Sequence, residues 1–210
     1  MKKVLMMSML FALGIMITTK AQAQGDPKAG KANFALCVSC HGPNGEGNKA
    51  LNAPVIAGQE EWYLARQLQN FKAGARAYHK DDLYGAQMRP MAGTLVDDKA
   101  VNNVAAYVAS LPAPKSPATI TTGNAANGKT LFAVCSSCHG PDAKGNKAMN
   151  APKLLGQHDW YLARQLNNFK LGIRGTNPKD AFGAQMRPMA MTLANEQAVN
   201  DVVAYITSLK

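Results

Sequence analysis

Cys-x-x-Cys-His is written twice and accounts for every cysteine in the 210-residue chain. The copies are Cys37-Val38-Ser39-Cys40-His41 and Cys135-Ser136-Ser137-Cys138-His139, 98 positions apart. On a helix, positions i, i+3 and i+4 lie on one face. Two thiols can then bond two vinyl groups while the imidazole reaches an iron from the same side. That is the attachment chemistry of c-type haem. A redox dithiol has no need of the fifth-position histidine, and a zinc site wants four ligands at other spacings. Cys37, Cys40, Cys135 and Cys138 are therefore expected to hold two covalently bound haem c groups, with His41 and His139 as axial iron ligands.

The opposite axial ligand must come from elsewhere. Met88 lies 47 residues after His41, and Met186 lies 47 after His139. Each sits in a Met-Arg-Pro-Met segment that reads as a loop between the second and third helices of its half. A thioether is soft and uncharged, so it stabilises ferrous iron and raises the potential. Met91 and Met189 are rivals within the same motif, and one methionine of each pair is expected to be core filler. Met88 and Met186 are preferred. Met149 and Met191 align with Leu51 and Gly93 and read as packing residues. His79 and His158 align with Asn177 and Glu60 and read as surface residues.

These residues are positioned by a duplicated unit. Residues 31–111 align with 129–209 without a gap, with 49 identities in 81 positions. Residues 24–111 and 124–210 thus read as two copies of one haem domain. Between them, residues 112–123 open with Pro112, Pro114 and Pro117, which exclude a helix and favour a stiff, extended connector. A half this small can hold only a small core, and a buried porphyrin would complete it.

Each half reads as helical. Asp26-Pro27 is an N-cap followed by proline at the first helical position, and Asn124 matches it. These first helices are expected to run into the cysteines. Second helices fit 60–72 and 159–170, with Gly74 and Gly172 as stop signals. Third helices carry Val101, Val104, Ala105, Val108 and Leu111, and Val199, Val202, Val203, Ile206 and Leu209, at helical core spacing. No long alternating strand pattern is present, so the fold class is all-α.

Residues 1–23 carry Lys2 and Lys3, an apolar run from Val4 to Ile17, and Ala21-Gln22-Ala23 as a cleavage site. This reads as a secretory signal peptide, expected to be cleaved after Ala23, the rival being a retained membrane anchor, for which the apolar run is short. A signal peptide points to the periplasm, where haem is attached outside the cytoplasm. Residue 24 is glutamine, so no cysteine stands there to anchor a lipoprotein.

The order Cys-x-x-Cys-His, Asn52-Ala53-Pro54-Val55-Ile56-Ala57-Gly58-Gln59, Tyr63-Leu64 and Met88-x-x-Met91 resembles a class I cytochrome c. Asn150-Ala151-Pro152-Lys153-Leu154-Leu155-Gly156-Gln157 repeats the match. Two such domains in one exported chain resemble the di-haem cytochrome c4 family. The resemblance implies two tandem class I cytochrome c domains related by a pseudo-twofold axis, with haem propionates facing one another. It implies that the carbonyls of Pro54 and Pro152 hold the second ring nitrogens of His41 and His139. It also favours Met88 and Met186 as ligands. Trp62, Tyr63 and Arg66, repeated as Trp160, Tyr161 and Arg164, read equally as propionate holders or as helix packing with solvated arginines. Arg89 and Arg187 are further propionate candidates.

Removal of Lys2, Lys3 and Lys20 takes the net charge from +10 to +7. Residues 24–112 carry +1 and residues 113–210 carry +6. A basic half could steer toward an acidic redox partner or an anionic membrane surface, and peripheral membrane association fits. Nucleic acid is a poor partner for an exported chain without a basic tract. With two protein ligands on each iron, the expected function is electron transfer between respiratory-chain components, without catalysis, donating to a membrane terminal oxidase. The alternative is the cytochrome subunit of a flavin-dependent sulfide dehydrogenase or a similar dehydrogenase. A haem enzyme or gas sensor would need an iron with an open or displaceable position.

Overall fold

The computed structural model describes residues 24–209. The expected signal peptide lies outside the described residues. Two helical units follow one another. The first holds α1 (Pro27–Phe34), α2 (Val38–His41), α3 (Glu61–Lys72), α4 (Leu83–Gly93) and α5 (Asp98–Ser110). The second holds α6 (Ala125–His139), α7 (Asp159–Lys170), α8 (Ala181–Met191) and α9 (Glu196–Ser208). Among the described residues there is no strand, only isolated bridges joining Asn48 to Ala53 and Asn146 to Ala151.

The helix starts follow from their caps. Asp26 accepts from the amides of Lys28 and Ala29, and Asn124 from those of Ala126 and Asn127. The first helix and last helix of each unit cross at a glycine. A Cβ on Gly30 would lie 1.9 Å from the Asn103 carbonyl oxygen, and one on Gly128 would lie 1.8 Å from that of Asp201. Only glycine allows this approach. Beside each crossing an aromatic pair packs with its ring centroids 5.3 Å apart, Phe34 with Tyr107 and Phe132 with Tyr205. The helical spacing of the third helices holds: Val101, Val104, Ala105 and Val108 are buried, as are Val199, Val202, Val203 and Ile206.

Two expectations are corrected. The Met-Arg-Pro-Met segments are not loops. Met88 and Met186 lie within α4 and α8, with Pro90 and Pro188 inside the helices. Asp82 and Asp180, both buried, cap these helices by accepting from Gly85 and Gly183 at 3.0 Å. Each proline removes a single ladder bond, and the cap and the remaining turns hold the helix across it. The second correction concerns the first cysteine helix. It breaks at 35–37 before α2, whereas α6 runs unbroken to His139. At the break the Cys37 amide bonds to the Phe34 carbonyl at 2.8 Å, a tightened i→i−3 turn. Ala35 and Leu36 are strong helix formers, and nothing in the sequence explains the break.

The connector is extended, but it is also docked. Ser116 donates to the Gly156 carbonyl at 2.9 Å. The Thr119 hydroxyl and the Ile120 amide donate to Asp159 at 2.8 and 2.5 Å. Asp159 is 1% exposed. Burial works to raise its pKa, but the hydrogen bonds from Ile120, Thr119 and Trp160 outweigh that and hold it below the ordinary value.

Candidate functional site

Each unit opens a cleft lined by its Cys-x-x-Cys-His motif. The first cleft holds Cys37, Cys40, His41, Pro54, Met88 and Met91. The second holds Cys135, Cys138, His139, Pro152, Met186 and Met189. In both, the sequence-predicted residues meet around one space, although 47 residues separate the histidine from the preferred methionine. Both methionines of each pair reach the cleft wall.

The histidines are oriented by a backbone bond. His41 Nδ1 donates to the Pro54 carbonyl at 2.9 Å, and His139 Nδ1 to that of Pro152 at 2.7 Å. With Nδ1 donating, Nε2 keeps its lone pair, the state a metal ligand needs. Both rings are buried, at 5% and 4% exposure. Burial lowers both imidazole pKa values, against the opposing effect of the proline hydrogen bonds, and so favours the neutral ligand form.

The first cysteine of each pair sits in surroundings that disfavour its thiolate. Burial, with Cys40 beside it, pushes the Cys37 thiol up to about 11. Burial raises Cys135 as well. A redox-active cysteine needs the opposite shift. Among the described residues no three His, Cys, Asp or Glu side chains cluster to hold a metal ion.

The clefts meet at a seam between the units, and each borrows part of its wall. Tyr161, Arg164 and Gln165 of the second unit line the first cleft. Gln59, Tyr63, Arg66 and Gln67 of the first unit line the second. At the centre, Arg76 donates to Gln67 of its own unit at 3.0 Å and to Tyr161 and Gln165 of the other at 3.0 and 3.4 Å. Arg174 mirrors it, donating to Gln165 at 2.7 Å, Tyr63 at 3.3 Å and Gln67 at 3.0 Å. Gln59 donates to the Lys153 carbonyl at 2.9 Å, and Gln157 donates to the Val55 carbonyl at 2.8 Å. Contacts that exchange partners in this way are the signature of a pseudo-twofold axis.

Arg66 and Arg164 fit neither sequence reading alone. Arg66 donates to the Asn150 side chain at 2.9 Å and packs over Phe182 of the other unit. Arg164 donates to Asn52 and packs over Tyr84. His158, expected at the surface, is half-buried. It stacks on Trp160 and donates to the Glu46 carbonyl at 3.1 Å. Arg76 and Arg174 were not singled out from the sequence. A signal was present: within 73–81 and 171–179, only Gly74 and Arg76 match their counterparts.

The donor chemistry of the seam fits a haem. Arg66 Nε, Arg76 Nε, Arg164 Nη1, Arg174 Nε and Trp62 Nε1 are buried without a hydrogen-bond partner among the described residues. Among the described residues, no arginine has a carboxylate within 4.0 Å. Buried charges are ordinarily paired, so these donors suit an anionic group such as a porphyrin carboxylate. An apolar cleft with two thiols, a neutral imidazole and unpaired cations at its rim accommodates haem c.

Fold and site define a tandem cytochrome c with two covalently bound haem c groups. The cytochrome c family pattern matches residues 27–112 and 125–210. The chain is 37% identical over 220 residues to cytochrome c4 of Stutzerimonas stutzeri, covering 100% of both. It belongs to the di-haem cytochrome c4 family, whose members are electron carriers. It is also 33% identical to the thiosulfate dehydrogenase electron acceptor of Stutzerimonas stutzeri strain A1501, over 84% of each chain. The crystal structure of reduced cytochrome c4 from Pseudomonas stutzeri superposes with a TM-score of 0.72 at 32% identity, covering 89% of this chain and 100% of that one.

Proposed function

We propose that this chain carries single electrons between respiratory-chain components in the periplasm, with a membrane terminal oxidase as acceptor. The observation that carries this reading is the shared wall. The two clefts adjoin one seam, and each is completed by residues of the other unit. Cofactor sites that share a wall favour passage of an electron through the molecule. When bound, haem iron supplies the one-electron couple. Cys37, Cys40, Cys135 and Cys138 would anchor it, and His41 and His139 would each hold one iron.

Met88 and Met186 would hold the iron from the other side of each cleft, which would leave neither iron open to substrate. Met88 packs against Phe71, Ala77 and Ala92, which fixes its position. Met189 is 38% exposed, which suits the non-ligand of its pair. Met88→Ala and Met186→Ala each lower one reduction potential and give one high-spin or re-ligated haem. Met91→Ala and Met189→Ala mainly lower stability. Spectral control by the second methionines would reverse the ligand choice.

Cleavage after Ala23 and export to the periplasm belong to the same proposal. Among the described residues no helix is long and apolar enough to cross a membrane. The +6 half favours an acidic docking surface, so electron transfer slows as salt screens the charges.

A second reading makes the chain the cytochrome subunit of a flavin-dependent sulfide dehydrogenase or a similar dehydrogenase complex. The likeness to a thiosulfate dehydrogenase electron acceptor favours it. Stopped-flow oxidation by membranes of the source organism tests the first reading. Co-purification with a dehydrogenase tests the second. Reduced protein that gives no electrons to membranes at any ionic strength, yet turns over a small substrate alone, overturns the carrier assignment.

A further inference from the structure

The seam presents a problem that the two clefts taken singly do not. The chain has six arginines, Arg66, Arg76, Arg89, Arg164, Arg174 and Arg187. Five of them, all except Arg89, carry a buried N–H without a partner among the described residues. Arg76 and Arg174 are each 8% exposed, and their hydrogen-bond partners are neutral amides and phenols; the buried Asp82 carboxylate acts on Arg76 only from beyond salt-bridge distance. Leaving a buried cation without an anion in direct contact is costly. The two pseudo-symmetric pairs among them, Arg66 with Arg164 and Arg76 with Arg174, point to anions that are part of the folded molecule.

The arginines also sort by cleft. Arg76 lines the first cleft and Arg174 the second, each in its own unit. Arg164 and Arg66 sort the opposite way. Arg164 belongs to the second unit and lines the first cleft, and Arg66 belongs to the first unit and lines the second. Each is held in that crossed position by an asparagine of the unit it visits. Arg164 bonds Asn52, and Arg66 bonds both the side chain and the carbonyl of Asn150. Asn52 and Asn150 adopt φ values of 58° and 55°, the left-handed region that asparagine tolerates. Burial lowers the pKa of both guanidiniums below their ordinary value, and an anionic partner would offset that effect.

We propose that the seam is a composite carboxylate-binding site in which each haem's propionates are held by one arginine of its own unit and one of the other, Arg76 with Arg164 for the first haem and Arg174 with Arg66 for the second. This rests on the two-haem reading above. It adds that each unit sets part of the other's reduction potential. A cation beside a propionate disfavours the ferric state, which carries one more positive charge than the ferrous state, so removing it lowers the potential.

The test uses the full-length holoprotein. Intact mass first checks that the native chain carries two haems; fewer would overturn the haem assignment itself. Haem-methyl NMR signals, assigned to each unit by contacts to its own residues, are then followed through a redox titration. Arg164→Gln lowers the midpoint of the first haem and leaves the second in place. Arg66→Gln does the reverse. Arg164→Lys keeps a cation but loses the planar fork, and shifts the same haem by less. It also serves as the deciding variant if the glutamine forms do not retain both haems. Asn52→Gly removes the tie to Arg164 without removing charge, and leaves the first midpoint closer to native than Arg164→Gln does. Shifts confined to the unit that carries the mutation, equal shifts in both haems, or no shift overturn the inference while leaving the two-haem reading intact.

Discussion

The two units share their cleft residues and differ at their edges. Cysteines, histidines, prolines, both methionines and the seam set of Tyr63, Arg66, Gln67 and Arg76 recur 98 positions on. The preceding segments are tied down differently. In the first unit the Glu61 carboxylate accepts one bond, from the Gly25 amide at 2.8 Å. In the second, the equivalent Asp159 accepts from Thr119, Ile120 and Trp160. The seam edges differ too. Glu60 accepts from the Lys153 amide at 3.3 Å, where its counterpart His158 donates to the Glu46 carbonyl. A pseudo-twofold seam needs both copies of each contact, because every residue in it meets the partner of its own equivalent. The edges face different surroundings and carry no such constraint.

The largest expected effect tests the shared part. Gly30→Ala and Gly128→Ala each place a methyl group against a backbone carbonyl. Each should destabilise its unit by about 3 kcal/mol or more. Denaturant unfolding of the two variants checks this, and clearly unequal losses would show that the two crossings are not equivalent.

The anchors should separate the units. Asp159→Ala strands several buried donors and should cost about 3 kcal/mol, whereas Glu61→Ala loses one bond and should cost about 1 kcal/mol. Equal losses would remove this distinction between the two segments.

A smaller effect is expected with pH. Burial lowers the His158 pKa from 6.5; the Glu46 hydrogen bond and Asp159 oppose this, and Lys49 adds to it. The unfolded chain therefore takes up the proton first. The contribution of His158 is fully present above pH 6.5 and is lost as pH falls through the lower folded-state value. Glutamine at 158 can donate to the same carbonyl without titrating. The difference in melting temperature between native protein and His158→Gln should open below pH 6.5. Parallel curves would show that this edge of the seam does not titrate.

What the sequence could show depended on range. Cys-x-x-Cys-His is legible because its residues share one helical turn. The third-helix cores are legible because Val101, Val104 and Val108 repeat at helical spacing. The helices that carry Met88 and Met186 were hidden because an interior proline reads locally as a break, and only the buried caps Asp82 and Asp180 and the packing around them hold those turns.

By itself the sequence determined the haem chemistry, the duplication and the all-α class, since each is carried by local spacing or by self-alignment. Only the tertiary structure decided where the arginines go. Arg76 meets Tyr161 and Arg66 meets Asn150 across 85 and 84 positions. No periodicity encodes such a pairing, because it arises when two folded units press the same face together about an axis.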